Sequence, residues 1–487
     1  MASSTQVVVT YINIVLYAIS YQLQRPVEPF LVKSLVHNNH NNSTEQVEEK
    51  TSNQTYGRLT SFFSFIQAIG SPLVGILLDR IGVRKTSILV YLASAASYWI
   101  LANATSTVWL FWSKVPTILQ HAFLVGQATV ASSTATSLDD NNNNRSGGLN
   151  DEDKVRAVAL GRMTTAYTIG ATIGPALGGV LFSTTGHLLV GARLAIWGSI
   201  ISVILSLVFL KDRSRTESTG NETNKDSEKV HRQSFLQSMH NTLSYLRHPT
   251  VGPLLFIKLL NGVSSSAFTT VQPLVLMNEL HLDSSLLGFF MSASSFSVAV
   301  FASFGISSSM SLVGNRPDRL ASLGIALRLA SMVIFGGIVS WCLQHHLVDG
   351  NETTESQRVE IPTTGLGLAA VASIAISISS HMHATSLTTL TTGSVSAEQR
   401  GAILGLEHGL FSLARVAGPP LGTSLLSSPS KSGFSGIWGV VMAGVFMDVI
   451  LLKCLQRCSD RKEVNTNENN SDETVGLTVV EEHDHSD

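Results

Sequence analysis

The stretch GILLDRIGVRK, Gly75–Lys85, decides the fold. Its second half, Asp79–Lys85, packs one acid and three bases into a short turn. An apolar run, residues 57–78, precedes it, and another, 86–102, follows it. A helix crosses a bilayer with about 20 apolar residues. Two such runs joined by a short charged turn form a helical hairpin, with the turn at one membrane face. Gly75 lets another helix approach closely, and Gly82 lets the turn reverse tightly.

The pattern extends over the whole chain. Of 487 residues, 44% are hydrophobic and only 14% charged, against about 25% charged in a soluble domain. Mean hydropathy is +0.25. Twelve membrane helices are expected, at 6–32, 57–78, 86–102, 108–135, 157–183, 191–210, 250–276, 286–309, 320–343, 365–392, 401–427 and 434–455. The fold class is therefore an all-α membrane protein. The charged segment 211–247 separates six spans (1–210) from six (248–455). The polar tail 456–487 reads as disordered and cytosolic.

Orientation follows from Lys and Arg in the loops. With the N-terminus in the cytosol, 20 of the 32 basic residues fall on the cytosolic side and four on the other. Sequons at Asn41, Asn42, Asn53 and Asn351 fall on the outer or lumenal side, as a glycoprotein requires; the one at Asn144 falls in the cytosol. The net charge of −2 implies no nucleic-acid partner. The cysteines, Cys342, Cys454 and Cys458, are too few for a disulfide framework. The start, MASSTQ, has no basic region of the kind that opens a cleaved signal peptide.

The two halves repeat. Residues 156–178, RAVALGRMTTAYTIGATIGPALG, align without a gap to 400–422, RGAILGLEHGLFSLARVAGPPLG. Seven of the 23 positions are identical at the offset of 244: Arg156/Arg400, Leu160/Leu404, Gly161/Gly405, Gly174/Gly418, Pro175/Pro419, Leu177/Leu421 and Gly178/Gly422. Two packed halves with a site between them are the architecture of many secondary transporters.

The opening stretch now resembles a known motif. Gly75, Asp79, Arg80, Gly82, Arg84 and Lys85 match the G-x-x-x-D-R-x-G-x-R-K motif of the major facilitator superfamily. There the aspartate docks on the start of the eleventh helix and holds the cytosolic gate shut; Asp79 is the matching residue. GATIGPALGG, with Gly170, Gly174, Pro175, Gly178 and Gly179, is similar to the helix-5 pattern of that superfamily's drug:proton antiporters. Glycines every fourth residue make one smooth face for a neighbouring helix. PVEP, Pro26–Pro29, looks like the P-V-x-P element of their first helix, and Lys114 stands where they often carry an arginine. SKVP, ALGR and LGLEH look most like the organic-cation-transporter-like (solute carrier family 22 member 18-like) group. The resemblance implies a monomer that exchanges small, often cationic, organic solutes for protons, without a cofactor, in a plasma, vacuolar or lysosomal membrane.

Candidate site residues follow from charge inside the bilayer, which is costly and usually faces a partner or a wet cavity. Arg25 and Glu28 are one turn apart and can pair. Lys114 and His121 are seven apart and share a helix face. Gln272 occupies the place of Glu28 in the second half. The eleventh span carries Glu407, His408 and Arg415. His383 lies at i,i+2 from His381 and points away from it, so a two-histidine metal site is not expected. Lys258 is read as snorkelling and Asp448 as interfacial. No nucleophile elbow, metal cluster or phosphate loop suggests an enzyme. The competing readings are a uniporter or symporter of a neutral solute, and a transporter-fold regulator that carries nothing.

Overall fold

The structure, a computed structural model, describes residues 2–38, 45–139, 149–210, 244–349, 363–395, 400–427 and 436–480. Asn41, Asn42, Asn144, Asn351 and most of the 211–247 segment lie outside these residues. The described chain is helical throughout. Its first half contains α1 (Ala2–Gln22), α2 (Glu28–His37), α3 (Glu45–Ala102), α4 (Thr107–Lys114), α5 (Ala122–Asp139), α6 (Leu149–Thr185) and α7 (Val190–Phe209). The second contains α8 (Val251–Asn278), α9 (Ser284–Val300), α10 (Ile306–Leu312), α11 (Pro317–Asp349), α12 (Thr363–Gly393), α13 (Arg400–Leu426) and α14 (Gly436–Val480). The last helix runs past residue 455, where the sequence suggested a disordered tail to begin; no proline interrupts residues 456–480.

Eight helical segments among the described residues are long and apolar enough to cross a membrane. Four of the twelve expected spans fall outside that set. Span 6–32 is cut into α1 and α2. Span 86–102 is the second arm of α3, joined to the first at Gly82, whose φ of 83° and ψ of 172° turn the chain back. Span 108–135 is cut between Lys114 and Ala122. Span 401–427 is continuous as α13 but carries Glu407, His408 and Arg415.

The repeat is visible in packing as well as sequence. A side chain added at Gly174 would strike Gln22 and Ile19, and one added at Gly178 would strike Leu23. Added at Gly418 it would strike Ser266 and Val263, and at Gly422 it would strike Ala267. Each second-half partner is the first-half partner displaced by the same 244 residues. The glycine face of α6 thus seats on α1 as that of α13 seats on α8. Between the halves, the carbonyl of Pro175 sits against Gly288 and that of Pro419 against Gly57. The seam is accordingly built from α6 on α9 and α3 on α13.

The seam is packed at one end. Call the face where α1 begins the terminal face and the opposite one the far face. Leu31, Val32, Leu35 and Tyr56 of the first half share a core with Leu274 and Met277 of the second. Phe30 joins a second-half core around Phe335 and Phe290. These residues lie toward the far face. Towards the terminal face the cores belong to one half each: Ile14, Val74, Val90 and Met163 in the first, Leu254, Ile257, Leu387 and Leu451 in the second. Gly161, Gly405 and His408 near that face are exposed. The halves meet at the far side and part at the terminal side.

Candidate functional site

The site begins with the break after Gln22. The N–H groups of residues 26 and 29 would continue the helix by bonding the carbonyls of Gln22 and Arg25, but both positions are proline. The chain instead makes tight turns, Arg25 N–H to the Gln22 carbonyl (3.2 Å) and Val27 N–H to the Gln24 carbonyl (3.1 Å). Glu28 then opens α2, with Pro29 in its first turn, where a missing donor costs nothing. Arg25 therefore sits in a turn rather than on a helix face. The expected one-turn pairing with Glu28 is not made, because the i,i+3 rule assumes a helix that is absent here.

Glu28 pairs elsewhere. Its Oε1 accepts from Lys114 Nζ at 2.5 Å. Lys114 ends α4; a 3-10 turn, Val115–Leu119, follows, and Gln120 leaves the helical region with ψ 59°. That break overturns the shared helix face expected for Lys114 and His121. Lys114 turns into the cavity, also lying 5.6 Å from the centre of the Phe63 ring, whereas His121 turns back against Gly70 of α3 and its buried Nε2 finds no hydrogen-bond partner.

Arg25, Glu28 and Lys114 line one cavity with Tyr21, Tyr56, Phe63, Tyr98 and Gln120 of the first half and Arg415 of the second. Gln120 donates to the Tyr98 hydroxyl (3.0 Å), and the Tyr17, Tyr21 and Phe63 rings stack in series. Arg25 also lines a second cavity at the seam, with Gln22, Gln272, Ser294, Ser295, Phe290 and Met291. Of the expected site residues, Arg25, Glu28, Lys114, Gln272 and Arg415 line cavities, together with an aromatic wall that the sequence does not announce. Aromatic residues in an apolar span give no signal that separates cavity from lipid.

The other candidates lie apart. Glu407 is 3% exposed; it is bound by Lys258 and by the Thr391 hydroxyl inside the second half. Lys258 also donates to Thr388 Oγ1 (2.5 Å), so it does not snorkel. His383 is fully buried, its Nδ1 3.1 Å from the Ala321 carbonyl. His408 is exposed near the terminal face. Asp448 is not interfacial: it and Arg328 are both fully buried and form a two-point pair, with Asn261 as a further acceptor for the guanidinium. A mid-span acid and a mid-span base in separate helices were the available signal for that pair.

In the opening motif, Arg84 donates to the Leu207 carbonyl at the end of α7 (2.6 Å), and Arg80 and Lys85 are exposed. Gly75 faces open space, where an added side chain would meet nothing within 4 Å. The close approach expected there is absent because the seam is open on that side. In the helix-5 motif, Gly170, Gly174 and Gly178 seat on α1, while Pro175 and Gly179 meet α9.

At the far face Asn53 is 2% exposed inside α3, and its side-chain oxygen accepts from Asn278 of α8 at 3.2 Å. Its sequon is therefore not an open acceptor in this state. Asn278 in turn accepts from Lys33 (3.5 Å). Next to it, burial first and then the charge of Glu49 push the Glu279 carboxyl above the ordinary carboxylate range.

Comparison with known proteins bears on the family and the fold. The family model described as Major Facilitator Superfamily matches residues 10–345. Solute carrier family 22 member 18 of Mus musculus is 23% identical over 394 residues, covering 77% of this chain and 81% of that protein. Tetracycline resistance protein, class G, of Vibrio anguillarum is 27% identical over 197 residues, 40% of this chain and 42% of that one. The crystal structure of the human organic anion transporter MFSD10 (TETRAN) superimposes with a TM-score of 0.54 at 17% identity, covering 93% of this chain and 99% of that one.

Proposed function

We propose, from the premise that the chain belongs to the Major Facilitator Superfamily, that it carries small, drug-like organic solutes across a membrane by alternating access and couples them to protons through Glu28. One observation carries the reading: a cavity at the seam holds an aromatic wall and a carboxylate with an ammonium partner in direct contact. Such a pair can be opened by a proton or by a charged solute. The similar proteins, a solute carrier, a tetracycline resistance protein and the human organic anion transporter, support small organic cargo. With the terminal face in the cytosol, as the Lys and Arg bias expects, the described state loads from the cytosol. A plasma, vacuolar or lysosomal membrane fits that orientation.

The sense of coupling follows from the charge of the solute. An organic cation, the class the motifs imply, competes with a proton for Glu28 and so exchanges against it. An anion competes with Glu28 for Lys114 and so travels with a proton. The test is a proteoliposome with an imposed pH gradient and a panel of labelled cations, neutral solutes and anions. The expected result is uptake that follows the gradient and collapses with a protonophore. Glu28→Gln should keep downhill flux and lose the response to the gradient. Gradient-independent flux of neutral solutes, or an unaltered gradient response in Glu28→Gln, sinks the reading.

A further inference from the structure

We propose that the solute is an organic anion whose carboxylate is held by Arg25 and Arg415, one guanidinium from each half. This rests on the transporter reading and adds the charge class of its cargo. The residues lining the seam cavity include three cations, Arg25, Lys114 and Arg415, and one carboxylate, Glu28. Glu28 is already engaged with Lys114. Arg25 feels the charge of Glu28 through space, but among the described residues neither the Arg25 nor the Arg415 guanidinium makes a direct hydrogen bond or ion pair. The Arg415 guanidinium carbon lies over the Phe411 ring, 6.0 Å from its centre. Both side chains line the same cavity.

Each guanidinium offers five donors in a planar fork that fits a carboxylate at two points. A cation entering this cavity meets an excess of like charge, which disfavours it strongly in a partly desolvated site. An anion meets two unoccupied forks. Tyr21, Tyr56, Phe63 and Tyr98 then supply flat apolar walls for the rest of the molecule. Arg25 belongs to the turn between α1 and α2, and Arg415 to α13, so a carboxylate bound to both bridges the seam.

Glu28 sets the sign of the coupling. Besides Lys114, the ionisable groups that share its cavity are Arg25, Tyr21 of α1, Tyr56 and Tyr98 of α3, and Arg415 of α13. The other helix packed on α2, α8, adds none to that cavity. Neutralising Glu28 releases Lys114 as a third cation and strengthens anion binding.

The test uses the full-length chain in detergent, titrated by calorimetry with 2-naphthoate and with its isosteric cation 2-naphthylmethylammonium. Naphthoate is expected to bind more tightly by about tenfold or more. Arg25→Gln and Arg415→Gln should each weaken it about tenfold, the loss of one charged hydrogen-bonded contact. Glu28→Gln should strengthen it. Should Arg25→Gln fail to fold, Arg415→Gln carries the test, with Arg415→Lys recovering part of the affinity. Tighter binding of the ammonium probe, no naphthoate binding, or weaker naphthoate binding in Glu28→Gln overturns the proposal. Binding is read without a gradient, so a chain that binds naphthoate but moves nothing breaks the transport reading alone.

Discussion

The turn after Gln22 and the unbroken run through Pro273 occupy the same place in the two halves. At the offset of 244, Arg25 falls on Thr269, Pro26 on Thr270, Glu28 on Gln272 and Pro29 on Pro273. The first half has two prolines and two charges there; the second has one proline and no charge. α8 continues as a helix through Pro273, whereas the chain breaks between α1 and α2. One missing donor is absorbed by a helix held on both sides; two within one turn are not. The charges follow the same division. The first half presents Arg25, Glu28 and Lys114 to a cavity, and the second closes Lys258–Glu407 and Arg328–Asp448 inside itself. A common scaffold thus turns most of its charged cavity lining out of the first half, joined by Arg415 of the second, and keeps its internal clamps in the second.

The largest effect should come from opening a clamp. Asp448→Asn leaves Arg328 charged and buried and should destabilise the protein by about 3–5 kcal/mol. Replacing both, as Arg328→Met with Asp448→Leu, should recover most of that. Thermal unfolding in detergent reads both. Glu28→Gln leaves Lys114 beside a cavity rather than inside a closed core, and should cost less, about 1–2 kcal/mol. A larger loss for Glu28→Gln than for Asp448→Asn breaks the comparison.

Next comes the proline count. Thr270→Pro gives α8 the pattern of α1 and should cost about 3 kcal/mol. Pro26→Thr, the reverse change, should close the first-half break and slow transport while leaving melting within about 1 kcal/mol. Transport unaffected by Pro26→Thr would show that the break is dispensable.

The repeat predicts matched smaller costs. Gly178→Ala and Gly422→Ala should each lose about 1–3 kcal/mol through overpacking on α1 and α8, and Gly75→Ala should lose none, since it faces open space. Unequal losses at the matched pair would mean that the two seats are not equivalent.

The smallest effect is a pH dependence at the far face. The raised Glu279 carboxyl favours the folded state fully below the ordinary carboxylate pKa of about 4.3. That contribution is lost as pH rises through the raised value. Glu279→Gln should flatten this part of the melting profile, and Glu49→Gln should shrink it. A profile unchanged by either variant removes the pair from the account.

The sequence made the hairpin at Gly75–Lys85, the apolar spans and the repeat legible, because each rests on spacing and composition that local chemistry enforces. It was less informative wherever a helix is interrupted. Both the Arg25–Glu28 pairing and the Lys114–His121 face assumed an intact helix, and both failed at breaks containing proline. It was least informative where tertiary partners decide the outcome. Nothing local to Asp448 names Arg328, 120 residues away, as its partner. Nor does the string around Lys258 reveal Glu407, which is why a clamp read as a snorkelling lysine.

The Asn53–Asn278 bond has a consequence for biosynthesis. A glycan can be attached only to an asparagine that an enzyme can reach on an extended strand. Asn53 in this state is helical and shut between the halves. A sugar chain on Asn53 and a closed far face are therefore mutually exclusive. A chain that received one while emerging from the ribosome would be held with its far face open, a wedged door rather than a decorated one.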